Sequence, residues 1–218
     1  SSYLSKASHV ITTISALAGY DPVMRSHAKE LHEFSGWIGY VSATSVYPNQ
    51  ENSFIDETTP AAPNTKRGLA RLKAEQEWQK LCKAEIFRVA GIYGPRRNAI
   101  FSLLEGRARI IEKEGQLSNR IHQEDITNII IAAINKPRAL RIVNLCDQEP
   151  APQGDVVRYA AKLLGISPPE PILFETDNSR ATIFVSLDLP DLFFLFLKIF
   201  KNDIKFIDLN DCLNTLFI

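Results

Sequence analysis

The sequence predicts an α/β fold: a parallel sheet flanked by helices, with a small second lobe. Three observations carry that expectation. Short β-branched or continuously apolar runs recur along the chain, the pattern of strands buried on both faces. Between them lie stretches of good helix formers, about 10–15 residues long, and such alternation builds βαβ units. The 218 residues are 45% hydrophobic and 23% charged, the composition of an ordinary globular protein able to bury a substantial core.

The elements follow in order. His9–Ile14 reads as a buried strand. Asp21-Pro22 supplies a helix cap and a first-turn proline, opening a helix that runs to about Phe34. Trp37–Ser42 is the second strand, and a loop rich in Pro, Asn and Thr extends from Pro48 to Thr65. Strong helix formers then predict a long helix over about Arg67–Cys82, followed by a strand at Ala84–Ala90. Helices are expected near Ala99–Glu105, Glu124–Asn135 and Gln153–Leu164, and strands near Arg109–Glu112 and Arg141–Leu145. The texture changes near Ile183: seven of the twelve Phe residues fall in the last 36 positions, and no Gly follows Gly165. The apolar run from Leu192 to Phe200, broken by Lys198, is far shorter than the roughly 20 residues of a bilayer-spanning helix. Residues 1–182 are therefore expected to form the α/β domain, and 183–218 a divergent Phe-rich tail.

Several function classes lose support at once. With 25 basic and 25 acidic side chains, the chain lacks the electrostatic footprint of a nucleic-acid binder. Cys82, Cys146 and Cys212 are odd in number and far apart, which fits reduced thiols rather than a disulfide framework. The first residues form neither a signal peptide nor an anchor, so the expected protein is soluble and intracellular, in the cytoplasm or an organelle such as the plastid stroma. His9, His27, His32 and His122 show no metal-ligand spacing, so no metal site is expected. His27 and His32 read as a solvated helix face, and His122 as a structural histidine. There is no GxSxG elbow, no GxxxxGK[ST] loop and no GxGxxG turn, hence no recognisable glycine cradle for a pyrophosphate.

Five segments, in order, carry a resemblance. They are Val41-Ser42-Ala43-Thr44-Ser45-Val46-Tyr47, Asp56-Glu57-Thr58-Thr59-Pro60, Arg88-Val89-Ala90-Gly91-Ile92-Tyr93-Gly94-Pro95, Arg120-Ile121-His122-Gln123-Glu124-Asp125-Ile126 and Val143-Asn144-Leu145-Cys146-Asp147. Together they resemble the motifs of the extended short-chain dehydrogenase/reductases, the NAD-dependent epimerase/dehydratases, and above all the atypical members. The resemblance implies a partial Rossmann-like parallel sheet, with substrate-side segments near 99–122 and 153–174. It implies NAD or NADP as cofactor. The family's first strands and glycine-rich turn would precede His9, so the chain is expected to be N-terminally incomplete.

In that family a Tyr-x-x-x-Lys pair on the long helix moves the proton, the lysine lowering the tyrosine's pKa. None of the six tyrosines here has a lysine at i+4. By resemblance Arg67 stands at the tyrosine position and Arg71 at the lysine position, and Ala43 falls where a hydroxyl is expected, with Thr44 one residue away. Arginine carries no exchangeable proton at neutral pH. Two arginines at i, i+4 also repel unless an anion lies between them. The resemblance therefore implies an anion contact at Arg67 and Arg71, with Arg71 keeping a ribose contact. Thr44 and Tyr47 are the catalytic substitutes; Tyr93 is a further phenol nearby. Thr13, Ile14, Ser15, Ser42, Arg71 and Ile92 are expected to meet the cofactor, and Arg67, Arg97 and Arg120 the substrate.

Three functions remain open at this point. The first is an atypical NAD(P)-binding epimerase/dehydratase-like protein with a degenerate proton-transfer site and weak or no catalysis. The second is an active NAD(P)-dependent oxidoreductase or epimerase on a nucleotide-sugar-like substrate. The third is an interaction protein whose apolar tail docks on a partner or pairs subunits into a homo-oligomer.

Overall fold

A computed structural model describes residues 4–17, 19–48, 54–113, 115–173 and 184–185. After a 3₁₀ turn at Leu4–Lys6 come β1 (His9–Thr12), α1 (Pro22–His32) and β2 (Trp37–Ala43), then a 3₁₀ turn at Thr44–Val46. β3 (Phe54–Ile55), α2 (Lys66–Cys82), β4 (Glu85–Val89), β5 (Gly91–Tyr93) and α3 (Ala99–Leu104) follow. The rest is β6 (Ile110–Glu112), β7 (Arg120–His122), α4 (Gln123–Asn135), β8 (Ile142–Leu145), α5 (Gln153–Leu164), β9 (Pro171–Leu173) and β10 (Phe184–Val185).

The main sheet has the order β1-β2-β4-β8, and every neighbouring pair is parallel. This is the α/β, partial Rossmann-like architecture the alternation implied. Side chains alternate along β2, so Ile38, Tyr40 and Ser42 share one face. α2 covers that face, with Trp78 stacked on Tyr40 at 5.7 Å. Met24 and Leu31 of α1 and Ala74 of α2 complete the same core with Ile38, Ala84 and Ile86.

Local chemistry sets the helix starts. The Asp21 carboxylate accepts from the backbone N–H groups of Val23 and Met24, at 2.9 and 3.0 Å, satisfying two otherwise orphaned donors of α1. Its other oxygen accepts from the Trp78 indole N–H at 3.2 Å, so one carboxylate both caps α1 and ties it to α2. Thr65 caps α2 through Gly68 N–H.

β1 departs from expectation. It ends at Thr12 rather than Ile14, and of its four residues His9 and Ile11 are exposed, Val10 is half-buried and only Thr12 is buried. Among the described residues it pairs with β2 alone, and a strand at the edge of a sheet keeps an open flank whatever its side chains. Five short strands were absent from the sequence reading: β3, β5, β7, β9 and β10. β5 pairs in parallel with β7, and β6 with β9. α5 packs on α3 and on β6. Of the tail at 183–218, Phe184–Val185 pair with Phe54–Ile55 and the rest lies outside the described residues. No helix among the described residues is long and apolar enough to cross a membrane.

Candidate functional site

Because the four main strands are parallel, their C-terminal ends share one edge, where α/β sheets of this kind bind ligands. That edge gathers Thr13–Ser15 after β1, Thr44 after β2, Ala90–Ile92 after β4 and Cys146–Asp147 after β8. α2 is pressed against it. A Cβ on Gly68 would lie 2.3 Å from the Ser45 carbonyl oxygen and 2.6 Å from Pro63 Cβ. Gly68→Ala is therefore expected to lower the urea midpoint. Overpacking against backbone costs about 1–3 kcal/mol, against a helix-propensity gain of ~1 kcal/mol. A raised midpoint would show that α2 can retreat freely.

Arg71 reaches into this edge from α2 and is only 7% exposed. Its guanidinium donates to the Val41 carbonyl at 3.0 Å and to the Ser15 hydroxyl oxygen at 2.7 Å. Its charge also faces the Tyr40 phenol. Burial still prevails there and pushes that phenol up to about 12. Arg67, one turn earlier, is solvent-exposed. The structure thus brings Arg71 and Ser15 together and separates the two arginines by environment, one engaged inside the wall and one in solvent.

The other expected site residues are distributed as follows. Thr13, Ile14 and Ser15 are exposed, Ile14 at 53%. Thr44 is half-buried, and its carbonyl accepts the Tyr47 N–H at 3.1 Å. Ser42 is buried on the face that α2 covers. Ile92 is half-buried in β5. Arg97 is exposed in a turn whose Gly94 and Arg97 backbones exchange hydrogen bonds. Arg120 is half-buried and donates to the carbonyls of Ser118 and Ala151, which engages its guanidinium with the adjoining loop. His122 caps α4 by accepting Glu124 N–H, and its ring lies 5.2 Å from that of Tyr93. Tyr93 is the more accessible phenol, 37% exposed.

Tyr47 has a different setting, 2% exposed. Its hydroxyl donates to Asn144 Oδ1 at 2.8 Å, and the Arg88 guanidinium sits 4.7 Å above its ring. Burial raises its pKa, with Arg88 opposing, so the phenol stays protonated and occupied at neutral pH. Arg88 is itself paired with Glu75 of α2 at 2.8 Å, both side chains almost fully buried. Glu57 accepts the Asn144 N–H at 2.7 Å. Tyr47, Glu57, Arg88 and Asn144 come from four of the five resembling segments, and here they form one buried polar network with Glu75. Glu75 and Asn144 were not singled out from sequence. The available signal was Arg88, one of two charges, with Glu85, inside a short strand buried along its length, each of which demands a buried partner.

Burial also raises the Glu57 pKa. A carboxylate whose folded pKa is raised adds stability that is complete below its unfolded value and lost as pH rises through the folded one. Glu57→Gln keeps a carbonyl oxygen for Asn144 N–H while removing the charge. It should therefore flatten the decline in stability as pH rises above about 4.5. An unchanged slope in urea midpoint against pH would contradict this.

No family model matches the chain. Protein YeeZ of Escherichia coli (strain K12) is 29% identical over 135 residues, 61% of this chain and 48% of that protein. The chain thus spans about half the length of the curated relatives it matches. A functionally unknown conserved protein from Silicibacter pomeroyi superposes with a TM-score of 0.78 at 34% identity, over 84% of this chain and 70% of that one. A protein provisionally assigned as an NAD-dependent epimerase/dehydratase, from Methylobacillus flagellatus, gives 0.58 at 27% identity, over 75% of this chain and 59% of that one. A UDP-glucuronic acid 4-epimerase from Bacillus cereus and a dTDP-glucose 4,6-dehydratase from Bacillus anthracis, both solved with NAD, share the fold at TM-scores of 0.67 and 0.62, each at 17% identity. With the parallel sheet, these likenesses give the chain the fold of the NAD-dependent epimerase/dehydratases.

Proposed function

We propose that this chain supplies the ribose–nicotinamide side of an NAD(P) site, in an atypical epimerase/dehydratase-like protein whose proton-transfer apparatus is degenerate. What supports the reading is the fate of Arg71 and of Tyr47, a phenol expected to substitute for the family's tyrosine. Arg71, at the lysine position, is spent on Val41 and Ser15. Tyr47, the nearest strand-end phenol, is buried with its proton committed to Asn144. Neither can deliver a proton to a ligand at the strand ends without breaking a buried hydrogen bond.

The strand-end residues fit such a cofactor. Ile14 and Ile92 offer apolar surface, and the exposed hydroxyls of Thr13 and Ser15 lie beside Ile14. When bound, a nicotinamide supplies the hydride acceptor or donor. Ser15 then hydrogen-bonds the ligand, Thr13 and Ile14 line it, and Arg67 presents a solvent-exposed cation to a phosphate or carboxylate of the substrate. Weak or no turnover follows, because α2 carries no tyrosine and has arginines at the two positions that the resemblance assigns to the proton-transfer pair.

Calorimetric titration with NAD and NADP, then stopped-flow absorbance at the reduced-nicotinamide band with UDP-glucose and UDP-glucuronic acid, tests this. Saturable cofactor binding with little or no change in nicotinamide redox state is expected. Lack of any saturable binding would refute the nucleotide site. Turnover at enzymatic rates, unaffected by Arg67→Ala and Arg71→Lys, would instead establish an active oxidoreductase or epimerase.

A further inference from the structure

Arg71 is a buried cation with neutral partners. A guanidinium stays charged at all accessible pH values and only donates hydrogen bonds. Buried charges are normally matched by an opposite charge. Arg88, its neighbour beneath α2, has Glu75. Arg71 has a carbonyl and a hydroxyl, and no carboxylate of the described residues comes within ion-pair distance of it. The hydroxyl in question, Ser15, is solvent-exposed at the end of β1. Arg71 therefore connects a buried, unneutralised charge to the surface through one side chain.

The chemistry of Ser15 follows from that bond. One lone pair of its oxygen is taken by a charged donor at 2.7 Å. A hydroxyl polarised in this way becomes a stronger donor and a poorer acceptor, and its hydrogen must point away from Arg71. Because the guanidinium cannot lose its proton, the polarity of the arrangement is fixed.

We propose that Ser15, backed by Arg71, forms a subsite at the end of β1 for an anionic oxygen, a phosphate or carboxylate group of the ligand. Ser15 makes the contact, and Arg71 is a positioning residue acting through it. The inference rests on reading the strand ends as a nucleotide site, and it names a ligand chemistry which that reading leaves open.

The test uses ligand pairs that differ by one anionic group: nicotinamide mononucleotide against nicotinamide riboside for a phosphate, and UDP-glucuronic acid against UDP-glucose for a carboxylate. The wild-type chain should prefer the more anionic member of one pair, and the pair affected identifies the source of the anion. Ser15→Ala should abolish that preference, a loss of about tenfold or more, as expected for a hydrogen bond to a charged group. Ser15→Thr should restore it, which a purely structural role for the hydroxyl would not predict for ligand preference. Arg71→Lys should weaken it while urea midpoints report any change in folding. Saturable NAD binding with no anion preference, or a preference that survives Ser15→Ala, overturns this inference and leaves the nucleotide site standing. Absence of binding by NAD and by all four ligands overturns both.

Discussion

Arg88→Met is expected to destabilise the protein by about 3–5 kcal/mol, because it strands the Glu75 carboxylate in the interior. For a domain of this size that corresponds to a fall in Tm of roughly 6–20 °C. Three losses coincide: the Glu75 ion pair, the cation over the Tyr47 ring, and the packing of the guanidinium stem between α2 and β4. The informative companion is the double variant Arg88→Met, Glu75→Leu. Replacing both members of a buried pair by apolar groups is often nearly neutral, so the double variant should recover most of the loss. A double-mutant cycle with negligible coupling would mean that the pair does not hold α2 to the sheet.

Trp78→Ala is the second large effect, about 3–5 kcal/mol. Trp78 is fully buried, stacks on Tyr40, and donates to Asp21, whose other oxygen caps α1. The truncation opens a cavity between α2 and the sheet and removes one donor from a carboxylate only 2% exposed. Trp78→Phe separates the two contributions. It retains most of the ring packing but still removes the indole N–H, so its cost should be about 1–3 kcal/mol, that of one unsatisfied buried acceptor. Equal losses for the two variants, measured by urea denaturation, would assign the whole effect to Asp21 rather than to packing.

Local chemistry made much of the fold legible. Asp21-Pro22 opened α1 where expected, because a cap and a first-turn proline act within four residues. α2, α4 and α5 were recovered within a residue or two from helix-forming runs. β5, β7 and β9 escaped notice because each is three residues long and exists through a distant partner. β1 was legible as a strand but not as an exposed one, since burial depends on what stands on either flank.

The candidate site divides along the same line. Resemblance identified the five motif segments, and spacing showed that no tyrosine carries a lysine at i+4. It could not show that four of those segments meet in one network, in which Tyr47, Glu57, Arg88 and Asn144 contact one another across two loops and the sheet, with Glu75 of α2 completing it. Nor could it distinguish Arg67 from Arg71: both are arginines on one helix, one turn apart. The sequence by itself determined the alternation of strands and helices, the Asp21 cap and the absence of a tyrosine with a lysine at i+4, because each is a property of neighbours along the chain. Tertiary structure alone decided that Arg71 turns inward to Ser15 and Val41 while Arg67 stays in solvent. That depends on which carbonyls and hydroxyls the ends of β1 and β2 offer to α2, more than fifty residues away from Ser15 and thirty from Val41.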